Sequence, residues 1–233
     1  MGTDSTDAVQ FSGVVALDGP SGTGKSTVAR RLASRLGAQY LDTGAMYRAA
    51  TVAVLAAGID PADSDAVAAE VAASTIVVST EPKHTHTLLN GRNVDVEIRS
   101  AVITAAVSPV SAVAAVREQL VAQQRAIICA APTVAEGRDI GSVVWPDAEL
   151  KVYLTASEAV RAQRRADELG NTEIAEVAES LRRRDAFDSA RVLSPLRRAD
   201  GATEVDTSEL SIDEVVDLLT GLALQAVSAA DRG

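Results

Sequence analysis

Apolar positions along the chain follow two rhythms that alternate from one end to the other. Short apolar runs, such as residues 14–17 and, apart from Lys151, residues 150–154, are typical of buried parallel strands. Between such runs, apolar residues recur every three or four positions, as in Val28, Leu32 and Leu36, which is the spacing of an amphipathic helix. This alternation predicts an α/β protein. We expect strands at residues 14–17, 39–41, 133–136, 150–154 and 203–206, and a closing helix at 211–228.

The middle of the chain breaks this rhythm. Residues 75–79 and 85–89 are β-rich, and the pair Asn90-Gly91 that follows them favours a tight hairpin turn. Residues 93–96 are expected to form a third strand. We therefore predict a small antiparallel β insertion over about residues 75–96.

Ser108 and Pro109 interrupt a helical pattern that follows the insertion. Serine caps helices and proline suits the first helical turn, so this pair predicts the end of one helix and the start of another. Val113, Val116 and Leu120 would form the buried stripe of the second helix.

The composition narrows the possible functions. A chain of 233 residues suits one domain, or a core with a small insertion. Its formal net charge of −10 argues against a nucleic-acid backbone as the main partner. Arginines nevertheless concentrate between residues 161 and 198, which favours a small anionic ligand, although solvated helix faces would give the same pattern.

The N-terminal segment, the lengths of the apolar runs and the single cysteine indicate the cellular compartment. Residues 1–12 lack the basic and apolar regions of a signal peptide and are expected to be a disordered polar tail. No apolar run approaches the roughly 18 residues of a membrane span. Cys129 is the only cysteine and cannot form an internal disulfide. Its apolar neighbours suggest a packed thiol, and the segment 127–129 fits either a helix end or a strand. We expect a cytoplasmic protein.

The strongest chemical signal is a glycine-rich loop between the first strand and the first helix. Its sequence matches G-x-x-x-x-G-K-[ST], the P-loop pattern in which backbone N–H groups surround phosphate oxygens. Lys25 would reach the β- and γ-phosphates, and the Ser26 hydroxyl would bind Mg²⁺. The candidate residues are Gly19, Pro20, Ser21, Gly22, Thr23, Gly24, Lys25 and Ser26.

Further candidates follow two other strands, whose carboxyl ends should lie at the same sheet edge. Thr43 begins the segment after the second strand and could be an ordinary N-cap, and Arg48 could be an ordinary surface charge. Glu136 ends an apolar run, as does the acidic residue that serves Mg²⁺ in P-loop proteins. Arg138 and Asp139 follow it, and a salt bridge within the turn is the alternative for these two.

A charged segment near residue 190 adds three more candidates. Arg184 and Arg191 are two helical turns apart, so a helix would place both on one face with Asp188 between them. A solvated helix face held by such pairs is the alternative reading.

Five segments in this order resemble bacterial cytidylate kinases, the CMP/dCMP kinases of the nucleoside monophosphate kinase family of P-loop proteins. They are GPSGTGKST, LDTGAMYR, SPVSAVAAVREQL, EGRDIGSVVWPDA and RRRDAFDSARVLSPL. The resemblance implies a five-stranded parallel sheet flanked by helices, with 133–136 as its central strand and 127–129 as a helix end or loop. It implies a kinase core over 13–233, a monophosphate-binding region at 59–108 that contains the insertion, and a short helical lid at 182–195.

The resemblance also implies roles for single residues. ATP would be bound by Gly19 to Thr27, with Arg161 and Arg165 near the ATP side. The CMP phosphate would be bound by Thr43, Arg48 and Arg138, and cytosine by Ser108, Arg117 and Asp139. The lid residues Arg184, Asp188 and Arg191 would contact phosphate and ribose. Lys25, Arg138, Arg184 and Arg191 would be catalytic.

Two features depart from the family pattern. Glu136 stands where an aspartate is common, which bears on its expected role at or behind Mg²⁺. The lid segment carries Ala186, Phe187, Ser189 and Ala190, so fewer spare charges surround its two arginines.

The implied reaction is transfer of the γ-phosphoryl group of MgATP to CMP or dCMP by a monomer that needs neither nucleic acid nor membrane. Another small acceptor, such as UMP, a different monophosphate or shikimate, is the same-class alternative. A non-enzymatic P-loop switch is the alternative from another class.

Overall fold

The computed structural model describes residues 11–170 and 173–230. Residues 1–10 of the expected N-terminal tail lie outside the described residues. Phe11, also assigned to that tail, is 3% exposed and packs in a hydrophobic core, so the ordered chain begins earlier than expected.

The described chain contains eight strands and eight α-helices. The strands are β1 (Val14–Asp18), β2 (Gln39–Asp42), β3 (Ile76–Val78), β4 (Thr87–Leu89), β5 (Arg92–Asn93), β6 (Thr133–Gly137), β7 (Leu150–Thr155) and β8 (Thr203–Asp206). The helices are α1 (Lys25–Leu36), α2 (Thr43–Ala56), α3 (Ser64–Ala73), α4 (Ala101–Ala112), α5 (Ala114–Ile128), α6 (Glu158–Leu169), α7 (Ile174–Ser189) and α8 (Ile212–Ala230).

The predicted α/β fold with a five-stranded parallel sheet is confirmed. The strand order is β2-β6-β1-β7-β8, and every neighbouring pair is parallel. The expectation that residues 133–136 form the central strand is wrong, because β6 lies between β2 and β1, and β1 is the middle strand. The strands that follow β1 in the chain lie first on one side of it, as β2 and β6, and then on the other side, as β7 and β8. The carboxyl end of β1 is therefore the point where the strand order reverses, and ligands bind at this point in such sheets.

Alternation along β1 explains why the sheet is covered on both faces. Val14 and Ala16 pack in a core with α2, α4 and α5, whereas Val15 and Leu17 pack in a second core with α1 and α8. Since successive side chains of a strand point to opposite faces, a continuous apolar run is the sequence that such a doubly covered strand requires.

The antiparallel insertion is present as the sheet β3-β4-β5. Asn90 and Gly91 both have positive φ, 51° and 79°, which is the type I′ turn that an Asn-Gly pair favours. The third strand is shorter than expected and begins at Arg92 instead of residue 93. It ends early because the Asp95 carboxylate accepts a hydrogen bond from Thr87 N at 2.7 Å, after which the chain turns away.

The helix break predicted at Ser108-Pro109 is wrong. Both residues lie inside α4, and the break comes at Val113, where α4 and α5 meet at 95°. Proline has no N–H to donate and disfavours a long continuation of a helix. Pro109 lies at the start of the last turn of α4, and the helix ends three residues later. Residues 127–129 resolve as the end of α5, and Cys129 is exposed, not packed.

Within the described residues, no single helix is long and apolar enough to cross a membrane, and one bent pair, α4 with α5, meets that length and composition test.

The α5 stripe is expected to contribute strongly to stability. Leu120 is fully buried, so Leu120→Ala should lower the free energy of unfolding by about 2–5 kcal/mol through lost burial and the cavity left behind. Leu218→Ala, at a position 44% exposed, is the control and should cost far less. Urea unfolding of both variants tests this, and equal losses would contradict the packing described here.

Candidate active site

The loop after β1 has the conformation that close phosphate contact requires. Gly19, Gly22 and Gly24 all have positive φ, and a Cβ on Gly19 would lie 2.2 Å from the carbonyl oxygen of Leu154. A Cβ on Gly22 would lie 2.9 Å from the carbonyl oxygen of Arg161. Side chains are therefore excluded, and the loop delivers its N–H groups to the start of α1, where the helix dipole favours an anion.

Lys25, the first residue of α1, folds back over this loop. Its Nζ donates to the carbonyl oxygen of Pro20 at 2.6 Å and lies 3.4 Å from Thr23 Oγ1. Burial and the nearby Arg138 guanidinium lower the pKa of the Lys25 ammonium. An anion beside Lys25 would oppose both effects.

Ser26, Glu136 and Tyr40 form a hydrogen-bonded group at the ends of α1, β6 and β2. Ser26 Oγ donates to Glu136 Oε2 at 3.0 Å, and Tyr40 OH donates a short hydrogen bond to Oε1. The longer side chain of Glu136 thus still reaches Ser26, and Tyr40 fixes its second oxygen. Burial, followed by the charge of Asp42, raises the pKa of the Glu136 carboxyl.

Thr43 does not have the capping role that its sequence position suggested. Asp42 is the N-cap of α2, and its carboxylate accepts from Ala45 N at 2.9 Å. Thr43 is the first helical residue, and its Oγ1 donates to the carbonyl oxygen of Glu136 at 2.7 Å. Its side chain therefore joins the amino end of α2 to the end of β6.

Arg48 is half-buried one turn further along α2. Its Nη1 donates to the carbonyl oxygen of Ile98 and to Thr104 Oγ1, both at 2.9 Å. Burial, and next the charge of Arg165, lower the pKa of Arg48 to about 10. A guanidinium whose charge is disfavoured in this way is suited to receive an anion.

Arg138 and Asp139 are not paired with each other, so a turn salt bridge does not describe them. Arg138 Nη1 donates to the carbonyl oxygen of Gly19 at 2.7 Å, and its Nη2 donates to Ser21 Oγ. Its Nε lies 3.2 Å from Asp188 Oδ2. Arg138 therefore joins the glycine loop to α7.

Asp139 instead pairs with Arg117 of α5 in a buried, short ion pair. Arg117 also donates to the carbonyl oxygen of Ser111 at 3.3 Å and lies over the ring of Tyr47, 5.4 Å from its centroid. Burial raises the pKa of Asp139, and the Arg117 charge opposes this shift. The pair offers a carboxylate and a guanidinium side by side.

Asp188, which is 1% exposed, connects three elements. Its Oδ1 accepts from Ser108 Oγ at 3.4 Å and forms a short ion pair with Arg191. α7 ends at Ser189, so Arg191 lies beyond the helix and does not share its face as predicted. Arg191 still reaches Ser111 Oγ at 2.8 Å, because the chain turns back toward α4.

Three arginines carry buried donors that the described residues leave unsatisfied. Nε of Arg161, Arg184 and Arg191 is buried in each case and has no hydrogen-bond partner among the described residues. Burial, and next the charges of Arg138 and Arg48, lower the pKa of Arg184 to about 9. Buried donors without a partner are rare in folded proteins, and a water molecule or a bound anion can satisfy them.

The arginines of α6 divide into two groups. Arg161 Nη1 donates to the carbonyl oxygen of Ser21 at 3.1 Å, beside the glycine loop. Arg165 instead pairs with Glu168 at 2.8 Å. Arg164, which the sequence interpretation did not select, lies 3.4 Å from the carbonyl oxygen of Thr23 and binds Thr207.

Asp18 is a buried carboxylate that the sequence interpretation also missed. Its two oxygens accept from Ile140 N and Gly141 N, both at 2.8 Å, and so fix the turn that carries Arg138 and Asp139. Desolvation raises the pKa of Asp18 to about 7. Its position at the end of β1, just before the glycine loop, was the available signal.

The residues at this edge fit a magnesium–nucleotide complex. Hydroxyl and carboxylate oxygens, which hard cations prefer, are paired in Ser26 and Glu136. The described residues hold no cluster of three or more carboxylate, histidine or cysteine side chains that could bind a metal alone. A magnesium ion held mainly by phosphates and water is the form that suits such a site.

Comparison with known proteins gives one consistent result. The family model described as cytidylate kinase matches residues 15–225. A cytidylate kinase of Rhodococcus opacus is 55% identical over 212 residues, or 88% of this chain and 92% of that protein. A cytidylate kinase of Nocardia farcinica is 52% identical over 220 residues, or 92% of this chain and 95% of that protein.

A solved structure supports the fold independently. A gluconokinase from Sinorhizobium meliloti 1021 superposes with a TM-score of 0.53, covering 96% of this chain and 99% of that one. At 17% identity, this likeness concerns the fold alone.

The Asp18 environment predicts a pH dependence of stability. Its pKa is about 7 in the folded protein against 3.8 as the ordinary value, so the folded state binds the proton more tightly. The stability from this group is fully present below about pH 4 and is lost as the pH rises through about 7, at roughly 1 kcal/mol per pH unit.

Asp18→Asn should remove this slope. Urea unfolding of the wild type and the variant between pH 4 and 7 measures it, with Asp147→Asn, at an exposed position, as the control. A difference between wild type and Asp18→Asn that does not change with pH would contradict the assignment.

Proposed function

The chain belongs to the cytidylate kinase family, and from that premise we propose that it transfers the γ-phosphoryl group of ATP to CMP or dCMP. The products are ADP and CDP or dCDP. The observation that supports this best is a set of buried arginine Nε donors without partners among the described residues, because two phosphate-bearing substrates would satisfy them. Arg161 lies beside the glycine loop, and Arg184 and Arg191 lie in the proposed lid segment.

The two substrates are assigned to opposite sides of Arg138. The glycine loop from Gly19 to Thr27, with Arg161, binds the phosphates of ATP. Thr43, Arg48 and Arg138 bind the phosphate of CMP. Arg138 touches both Gly19 and Asp188, so it lies where the donor and acceptor phosphates would meet.

The chemistry needs alignment and charge neutralisation more than proton transfer. The attacking oxygen of a monophosphate is already anionic, so no general base is required. Lys25, Arg138, Arg184 and Arg191 offset the repulsion between two anions and the charge that develops on the transferred group. Arginine suits this role because its planar fork meets two phosphate oxygens at once and stays charged.

Mg²⁺ bound with ATP would neutralise part of the phosphate charge. Ser26 would bind Mg²⁺ through its hydroxyl, and Glu136 would orient that hydroxyl by accepting its hydrogen bond. Tyr40 keeps Glu136 in that position.

Arg117 and Asp139 would read the base, with Ser108 beside them. Cytosine presents a 4-amino donor, which the Asp139 carboxylate can accept, next to an acceptor that Arg117 can match. Uracil carries a carbonyl at the 4-position, so the same carboxylate would meet an acceptor. Mismatches of this kind, which leave buried polar groups unpaired, discriminate by up to roughly 10⁴-fold.

Residues 182–195 would act as a lid, with Arg184, Asp188 and Arg191 contacting phosphate and ribose. Closure over the nucleotides would exclude water and so limit wasteful hydrolysis of ATP. We further propose that the protein acts as a cytoplasmic monomer that needs neither nucleic acid nor membrane.

Coupled ADP release with each acceptor in turn tests the function. CMP and dCMP should support turnover, whereas UMP should be much poorer and AMP and shikimate should give background rates. Lys25→Ala should lose roughly 10³-fold or more in rate and controls for contaminating kinases. ATP consumption that does not depend on CMP would contradict the proposal.

The base-reading pair makes a narrower prediction. Asp139→Asn replaces an acceptor by an amide that can also donate, so kcat/KM for CMP should fall about 10- to 100-fold while that for UMP is unchanged or rises. Asp147→Asn is the matched control and should leave both values unchanged. An unaltered CMP-to-UMP ratio in Asp139→Asn would refute the role of this residue.

A further inference from the structure

The last turns of α7 are held on the site by few apolar contacts. Val177 and Leu181 pack with Ala166 of α6 in a small cluster that is separate from the two main cores. Phe187, in the half of α7 that covers the site, is 43% exposed. Burial of apolar surface therefore does not explain why this half of the helix lies against the glycine loop.

Polar contacts supply that connection, through Arg138 to Asp188 and, directly to the loop backbone, through Asp185. Its Oδ1 accepts a hydrogen bond from the backbone N–H of Ser21 at 3.2 Å, and its Oδ2 forms a short ion pair with Arg161. Arg138 Nη1 lies 3.7 Å from Oδ1. The Asp185 side chain is 16% exposed, so water screens these contacts only weakly.

Asp185 and Asp188 lie on the same side of α7 but contact different parts of the protein. They are three residues apart on the helix, and Arg138 contacts both of them. Asp188 reaches toward Ser108, whereas Asp185 reaches the glycine loop and α6. Of these two carboxylates, only Asp185 contacts the backbone of the glycine loop directly, whereas Asp188 reaches the loop through Arg138.

We propose that Asp185 is a positioning residue, whose carboxylate docks the end of α7 on the glycine loop and thereby places Arg184 over the phosphate site. The kinetic part of this inference rests on the proposed function, whereas its structural part does not.

Electrostatics explains why a carboxylate is needed there. Arg184 lies near Arg138 and Arg48, and this repulsion favours moving α7 away when no phosphate is bound. Asp185 and Asp188 oppose the repulsion. Bound phosphates would take over part of this task but would not replace the contacts of Asp185 with Ser21 N and Arg161, so its docking matters both with and without nucleotides.

A distance measurement by electron paramagnetic resonance tests the structural part. One spin label is placed on the exposed native Cys129 and the other on Ser189→Cys, at an exposed position at the end of α7. Without nucleotides, Asp185→Asn should broaden the distance distribution and add a longer component. CMP with a non-hydrolysable ATP analogue should restore the parent distribution only in part.

Glu179→Gln is the matched control, because it removes the same charge from an exposed pair with Arg182 on the same helix. It should reproduce the parent distribution. Superimposable distributions for Asp185→Asn and the parent would overturn the proposal. If Asp185→Asn does not fold, Arg161→Gln should open the same distance from the other side, and an unchanged distance there would equally overturn it.

Kinetics separates positioning from simple binding. Asp185→Asn should lower kcat for CMP phosphorylation about 10- to 100-fold, while KM for CMP changes less than roughly threefold. An unchanged kcat, or a rise in KM alone, would contradict a positioning role. If the wild type phosphorylates no monophosphate, the proposed function fails, and the distance measurement still decides the role of Asp185.

Discussion

Repulsion among buried cations is the constraint on which this site depends. Six basic side chains converge at the carboxyl edge of the sheet: Lys25, Arg48, Arg138, Arg161, Arg184 and Arg191. Burial, followed by the charge of Arg165, lowers the pKa of Arg48 to about 10, and burial, followed by the charges of Arg138 and Arg48, lowers the pKa of Arg184 to about 9. The carboxylates of α7 offset part of the charge, and the donors that remain unsatisfied fit phosphate.

The fold brings these charges together with few specialised parts. β1 lies in the middle of the sheet, so the glycine loop after it is flanked by the segments that follow β6 and β7, and the segment after β2 lies next beyond β6. Asp18 then fixes the turn after β6 through two backbone hydrogen bonds. A gluconokinase has a similar fold, and a fold does not by itself determine which substrate a protein takes. The choice of base is therefore a matter of side chains, for which we propose Arg117 and Asp139.

What could be read from the sequence was local. The strands, the glycine loop and the Asn90-Gly91 turn each carry their signal within a few residues, and the structure has all of them. Local rules failed where two neighbouring residues could serve equally, since Asp42 and not Thr43 caps α2. They also failed at Pro109, which is tolerated inside α4 because the helix ends three residues later. Contacts such as Ser21 with Asp185, 164 positions apart, have no local signal, since only the folded chain brings them together.

A crystal structure of the wild-type protein with CMP, Mg²⁺ and a non-hydrolysable ATP analogue tests the central claim most directly. The account predicts that Lys25, Arg48, Arg138, Arg184 and Arg191 lie within hydrogen-bond distance of phosphate oxygens, with α7 against the glycine loop. A structure in which both nucleotides are bound and these side chains point away from the phosphates would contradict it.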